Sequence, residues 1–151
     1  MKTGIFRKHF SRILLIAMML LFLGSCGKDN KDIYSGLIPD VPVNFYIQPN
    51  TIDFLPAGSW KYYDNEGYRG IILYRLDQYN FMAYERTCPY DPQKECAIVE
   101  VDPASYTLVD SCCMSRFLIL DGMPFSGPSS LPLKQYFTEF NGEYLHVFNN
   151  P

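Results

Sequence analysis

The hydrophobic positions of this chain fall into short runs with a two-residue repeat, broken every few residues by proline, glycine or asparagine. Val43, Phe45 and Ile47 alternate with outward positions and stop at Pro49-Asn50, which predicts a first strand with one buried face. Trp60-Lys61-Tyr62-Tyr63 predicts a second, ended by Asp64-Asn65-Glu66-Gly67. Gly70 to Arg75 and Tyr79 to Tyr84 predict a hairpin turning near Asp77-Gln78. Ala97 to Val101, Tyr106 to Val109 and Arg116 to Leu120 follow. Tyr136 to Phe140 then joins Tyr144 to Phe148 through Asn141-Gly142, a dipeptide suited to a turn with positive φ. Eleven Pro and ten Gly punctuate these runs, and no segment after residue 25 reads as a helix. The expectation is one all-β domain, an antiparallel β-sandwich or small barrel, with no internal repeat.

The first 25 residues have a different character. Lys2, Arg7, Lys8 and Arg12 precede an apolar run from Ile13 to Leu23. That run is shorter than the ~20 residues needed to span a bilayer, so it reads as a targeting segment. It ends in Leu23-Gly24-Ser25-Cys26, which resembles the lipobox of bacterial lipoproteins; the resemblance implies lipidation on Cys26 after cleavage. Gly27-Lys28-Asp29 is similar to surface-export signals of Bacteroidetes lipoproteins. The expected organisation is a signal peptide over 1–25, a polar tether over 26–39 and a β domain over 40–151. The chain is thus expected in the cell envelope, lipid-anchored at the outer membrane or periplasmic face.

Removing the signal alters the charge. It carries four basic residues and no acid, so the mature chain holds 9 basic against 16 acidic residues, net −7. Scattered negative charge offers no footprint for nucleic acid, and a lipid anchor needs no basic membrane patch. Twelve Tyr and eleven Phe suit either a sugar-binding surface or a β core. Most lie within the predicted strands, so core is the expectation.

With Cys26 assigned to lipid, Cys88, Cys96, Cys112 and Cys113 remain. Four thiols in an exported chain suit disulfides. Zinc on all four is disfavoured, because Cys112 and Cys113 are adjacent and no Cys-x-x-Cys knuckle is present. Two segments gather these thiols: Cys88-Pro89-Tyr90, and Asp110-Ser111-Cys112-Cys113-Met114-Ser115-Arg116-Phe117, with nineteen residues (91–109) between them. Their order and spacing resemble the two ligand boxes of Rieske iron–sulfur domains, Cys-x-His and, roughly 15 to 20 residues on, Cys-x-x-His-Gly-x-x-Phe. Gly70 to Tyr74 with Phe81 to Cys88 is similar to the hairpin leading into the first box. Ser126-Gly127-Pro128 with Leu131-Pro132-Leu133 and Tyr136 is similar to the proline loop that covers the cluster.

Matched on Phe117, the ligand positions hold Cys88, Tyr90, Asp110 and Cys113, with Met114 in place of the motif glycine. No histidine stands in either box; beyond Cys26 there is His146 alone, in the last predicted strand, where an ordinary strand role is expected. The resemblance therefore implies the fold and two adjacent loops at one end, but a degenerate site with no [2Fe–2S] cluster and no metal expected. It also implies a disulfide between Cys96 and Cys112, and a weaker second pair, Cys88 with Cys113. No Gly-x-Ser-x-Gly elbow, His-Glu-x-x-His pair or phosphate-cradling glycine loop is present. Asp121-Gly122 reads as a turn, and Asp110 as a solvated loop end. The expected function is a binding or accessory module for an envelope partner. Two alternatives stay open: an electron carrier holding iron with altered ligands, or a thiol–disulfide protein using Cys88 and Cys113.

Overall fold

The computed structural model describes Tyr34 and residues 37–149. The expected signal peptide and Cys26 lie outside the described residues. Ten strands occur: β1 (Asn44–Ile47), β2 (Trp60–Tyr63), β3 (Ile71–Arg75), β4 (Phe81–Glu85), β5 (Val99–Asp102), β6 (Thr107–Asp110), β7 (Arg116–Leu118), β8 (Pro124–Ser126), β9 (Gln135–Phe140) and β10 (Leu145–Phe148). All pairings are antiparallel. Six strands form one sheet in the order β1-β10-β9-β4-β3-β2, and four form a second in the order β5-β6-β7-β8. The expected all-β, two-sheet architecture is what the chain adopts.

The β3–β4 hairpin is shared by two cores. Alternate residues of a strand point to opposite faces, and here both faces are apolar. Ile72, Tyr74 and Tyr84 pack with Val99, Leu108 and Phe117 of the four-stranded sheet. Ile71, Leu73, Phe81 and Ala83 face the other way, onto Val43, Ile47, Tyr136, Leu145 and Val147. All five residues of β3 are buried as a result. Its turn is built by Asp77, whose Oδ1 accepts the Tyr79 and Asn80 N–H groups at 2.8 and 2.9 Å. Arg75 is buried beside that turn and donates to the carbonyls of Leu55, Asp77 and Gln78.

Several boundaries differ from the sequence expectation, each for a local reason. Tyr106 adopts φ 53° and donates its N–H to the Asp102 carbonyl, so it closes the β5–β6 turn and β6 begins one residue later. β7 stops at Leu118, because the Leu118 carbonyl accepts the Gly122 N–H in the Asp121-Gly122 turn. Strand β8 was not anticipated: its proline and flanking glycine disguise a short edge strand that pairs with β7 across a register shift. Within the span expected as tether, Tyr34 and Ile38 are buried, and the Tyr34 hydroxyl donates to the Pro132 carbonyl at 2.8 Å. The core expectation for the aromatics holds in part. Tyr46, Phe137 and Tyr144 sit on outward positions of β1 and β9 and beside β10, where they are 63%, 52% and 41% exposed.

A buried carboxylate ties the end of β4 to its surroundings. Glu85 is fully buried, and its two oxygens accept from five donors. Oε1 takes Arg69 N–H (3.0 Å), Thr87 N–H (3.2 Å) and the Thr87 hydroxyl (3.0 Å). Oε2 takes Tyr68 N–H (2.8 Å) and the Tyr136 hydroxyl (2.7 Å). The Tyr136 phenol is pushed upward in pKa by burial and by the carboxylate beside it. Three separate elements, the β2–β3 turn, β9 and the lead into the first box, thus meet on one side chain. Glu85→Gln replaces an acceptor with a donor facing N–H groups that cannot turn away. It should lower the unfolding free energy by about 2 kcal/mol, seen as a lower urea midpoint with unchanged slope. A midpoint equal to wild type would show that the network does not hold the fold.

Candidate functional site

Two loops meet where the sheets end. The first runs from Cys88 to Ala97 and is closed by the Thr87↔Ile98 bridge and a Cys88 N–H to Ala97 carbonyl bond of 3.1 Å. The second links β6 to β7 and is closed by Asp110 N–H to Ser115 carbonyl (3.0 Å) and Met114 N–H to Asp110 carbonyl (2.8 Å). Cys96 and Cys112 join the loops as a disulfide with Cα atoms 5.5 Å apart. Closing 16 residues of chain stabilises by about 3 kcal/mol in the chain-entropy picture. That bond also removes Cys112 from any four-thiolate metal site.

Cys88 and Cys113 are free thiols, not the weaker second disulfide expected, and their sulfurs stand 3.8 Å apart. Asp110 completes the group. It is fully buried, which corrects its reading as a solvated loop end. Its Oδ1 accepts the Cys112 N–H at 2.8 Å and its Oδ2 the Cys113 thiol at 3.0 Å. Sequestered from water, the Cys88 thiol is raised far above its usual pKa, first by desolvation and then by its contact with Asp110. The Lys94 ammonium, paired with Asp91, lies near enough to be influenced by Cys113 and Tyr90.

Of the four ligand positions matched in sequence, three therefore converge: Cys88, Asp110 and Cys113. The fourth, Tyr90, is 51% exposed and bonds Cys88 through its backbone. His146 is remote from the boxes, on β10, where it stacks between Tyr46 and Phe148 and hydrogen-bonds Asn44 at 2.8 Å. Ser115, inside the second box, and Ser129, which no motif in the sequence marks, also belong to the site. The Ser115 hydroxyl contacts the Cys113 sulfur at 3.0 Å and accepts the Ser129 N–H at 3.1 Å, joining the second box to the proline-containing segment.

These residues do not fit a [2Fe–2S] cluster. A Rieske centre takes two thiolates on one iron and two imidazoles on the other. Among the described residues no imidazole reaches the site; His146, on β10, bonds Asn44 instead.

Two backbone features shape the second box. Met114 adopts φ 63°, the left-handed region that favours glycine, at the position where the resembled motif has glycine. Gly127 packs against the same turn: a Cβ there would stand 2.5 Å from Ser115 Cα and 2.7 Å from the Met114 carbonyl oxygen. Both neighbours are backbone and cannot swing aside.

No family model matches the chain, and no curated protein matches it. Among solved structures the chain is similar to the ferredoxin of carbazole 1,9a-dioxygenase from Nocardioides aromaticivorans IC177, with 19% identity and a TM-score of 0.49, over 74% of this chain and 100% of that one. The similarity is loose. The chemistry of the site rests on this chain's own residues.

Met114→Gly should leave stability unchanged or raise it by up to about 1 kcal/mol, since relief of the left-handed strain offsets the glycine's added unfolded-state entropy. Gly127→Ala should cost about 2 kcal/mol or more through overpacking and a disfavoured φ. Thermal midpoints of the two variants check both, and the opposite ranking contradicts the geometry described.

Proposed function

We propose that this chain is a lipid-anchored envelope protein whose β domain is of Rieske type, has lost its [2Fe–2S] cluster and serves as a binding or accessory module. One observation carries the reading. The two box loops are adjacent and covalently tied, and hold three of the four matched ligand positions within 4.8 Å, yet no histidine is among them. A scaffold built this way keeps the loop architecture while the electron-carrying chemistry is gone.

The electron-carrier alternative requires iron held by thiol, carboxylate and phenol groups, a hard mixed set unlike a Rieske centre. The thiol–disulfide alternative has a specific observation in its favour, two free thiols 3.8 Å apart. Against it stands the buried Cys88, whose raised pKa leaves it a poor nucleophile at neutral pH.

The anchoring part of the proposal rests on the Leu-Gly-Ser-Cys ending at Cys26 after a short apolar run. The envelope partner it implies is a protein, since the mature chain's net −7 gives nucleic acid nothing to bind.

Protein purified without air should be colourless and contain no stoichiometric iron or acid-labile sulfide. Membrane-extracted protein should carry acyl mass on residue 26, and Cys26→Ala should move it to the soluble fraction. A brown preparation with near-stoichiometric iron and sulfide overturns the cluster-free reading, and a Cys26→Ala protein that stays in membranes overturns the anchor.

A further inference from the structure

Cys88, Asp110 and Cys113 form a compact ligand set whose shape is that of a mononuclear metal site. Cys88 and Asp110 are fully buried and Cys113 is partly so. The two sulfurs are 3.8 Å apart. With zinc–sulfur bonds of about 2.3 Å, the edge of a tetrahedron between two thiolates is about 3.8 Å, so both sulfurs already stand at the separation a single ion requires. A disulfide needs them at about 2.05 Å. With a zinc–oxygen bond of about 2.0 Å, the mixed edge is about 3.5 Å. The Cys113 sulfur and Asp110 Oδ2 lie 3.0 Å apart, a few tenths of an ångström inside that edge.

The surroundings hold these groups in place. Asp110 closes its own loop through Oδ1 on the Cys112 N–H, which leaves Oδ2 turned toward the sulfurs. Cys112 is pinned by the disulfide to Cys96, and the Cys113 sulfur rests on the Ser115 hydroxyl. Little reorganisation separates this arrangement from a ligated one.

We propose that these three residues bind one thiophilic divalent cation, of which Zn²⁺ is the type, in the space beneath the two box loops. Two thiolates select a soft or borderline metal, and the carboxylate supplies a third ligand. Three protein ligands leave a fourth position for water or for a group on a partner. Binding replaces the thiol protons of Cys88 and Cys113, which leave to solvent. The ion carries two positive charges against two thiolates and one carboxylate, a net −1 near the Lys94 ammonium. A four-thiolate zinc site is a different arrangement, closed off by the Cys96–Cys112 bond.

This inference names a ligand for the binding module proposed above, and the two stand or fall on different measurements. The test uses the full chain, purified without air and with the Cys96–Cys112 disulfide intact, titrated with Co²⁺ alone. One equivalent should produce thiolate-to-cobalt charge-transfer absorption in the near ultraviolet and intense visible bands of tetrahedral cobalt. One equivalent of Zn²⁺ should abolish both. Asp110→Asn and Cys113→Ser should each weaken Co²⁺ binding at least tenfold, with the charge-transfer intensity of Cys113→Ser about halved at saturation. Because Cys113 is only partly buried, that variant should fold, and far-ultraviolet circular dichroism checks it. Folded wild-type protein that shows no thiolate–cobalt absorption overturns the site, as does a Cys113→Ser spectrum identical to wild type. Iron and sulfide in the purified protein overturn the cluster-free reading instead.

Discussion

The β3–β4 hairpin is buried on both faces, and the rest of the molecule is arranged around that constraint. Its side chains alternate between two cores, Ile72, Tyr74 and Tyr84 on one side, Ile71, Leu73, Phe81 and Ala83 on the other. A slip of one residue exchanges every contact between the cores. Fully burying a single Ile or Leu is worth roughly 1.5–3 kcal/mol, so the register is held by several such terms at once. The hairpin thereby fixes where β4 ends, and the first box begins there. Glu85 transmits that position outward, because its carboxylate binds the β2–β3 turn, the Tyr136 hydroxyl of β9 and the Thr87 backbone together. A buried carboxylate is tolerated only where its acceptor capacity is filled, and five donors fill it.

Much of this was legible in the residues and some was not. Alternation and β-favouring runs set between turn residues located nine of the ten strands described. β3 was still legible despite burial on both sides, since Ile71-Ile72-Leu73-Tyr74 is a β-favouring run between turn residues. β8 was illegible: three residues, one of them proline, carry no periodicity, and their pairing depends on the bulge at Arg116/Phe117. The alternation of Val43, Phe45 and Ile47 already set Tyr46 outward, whereas the face of Phe137 was not legible, because composition counts aromatics without assigning faces. At the site, box spacing brought out Cys88, Asp110 and Cys113. Whether Asp110 faced solvent depended on the tertiary closure of its loop, which no local pattern encodes. Ser129 was invisible for the same reason, as its N–H reaches Ser115 from another segment, and the role of Ser115, though it stands in the box, depends on that contact.

Met114 shows how the fold holds a strained backbone position in place. The backbone conformation that favours glycine persists at φ 63° although the residue has a side chain. Left-handed geometry at a non-glycine residue costs about 1 kcal/mol, so something must over-determine it. Two neighbours do. The Asp110 carbonyl holds the Met114 N–H, and Gly127 lies against the Ser115 backbone with no room for the turn to open. The proline-containing segment and the second box therefore constrain each other directly. That constraint runs through backbone atoms and involves no side chain of the Cys88, Asp110 and Cys113 group.

The position of Asp110 then governs what the remaining thiols can do. A thiol pair surrounded only by apolar groups has no means of stabilising either a thiolate or a cation. Asp110 adds a carboxylate at contact distance, which opposes thiolate formation as long as the sulfurs keep their protons to themselves, and so works against disulfide exchange at Cys88. The same carboxylate favours a shared positive charge, which turns mutual repulsion among three anionic groups into common ligation. Proton and metal compete for one set of atoms. The thiol protons satisfy the site through contacts of 3.0 and 3.8 Å, and a divalent ion satisfies it with shorter, stronger bonds to the same three side chains. Ser115, whose hydroxyl meets the Cys113 sulfur and takes the Ser129 N–H, cannot substitute for Asp110 in this balance, because a neutral hydroxyl contributes no charge. The identity of one residue, a buried aspartate where the resembled motif has a cysteine, thus separates this site both from a cluster cradle and from a simple disulfide pair.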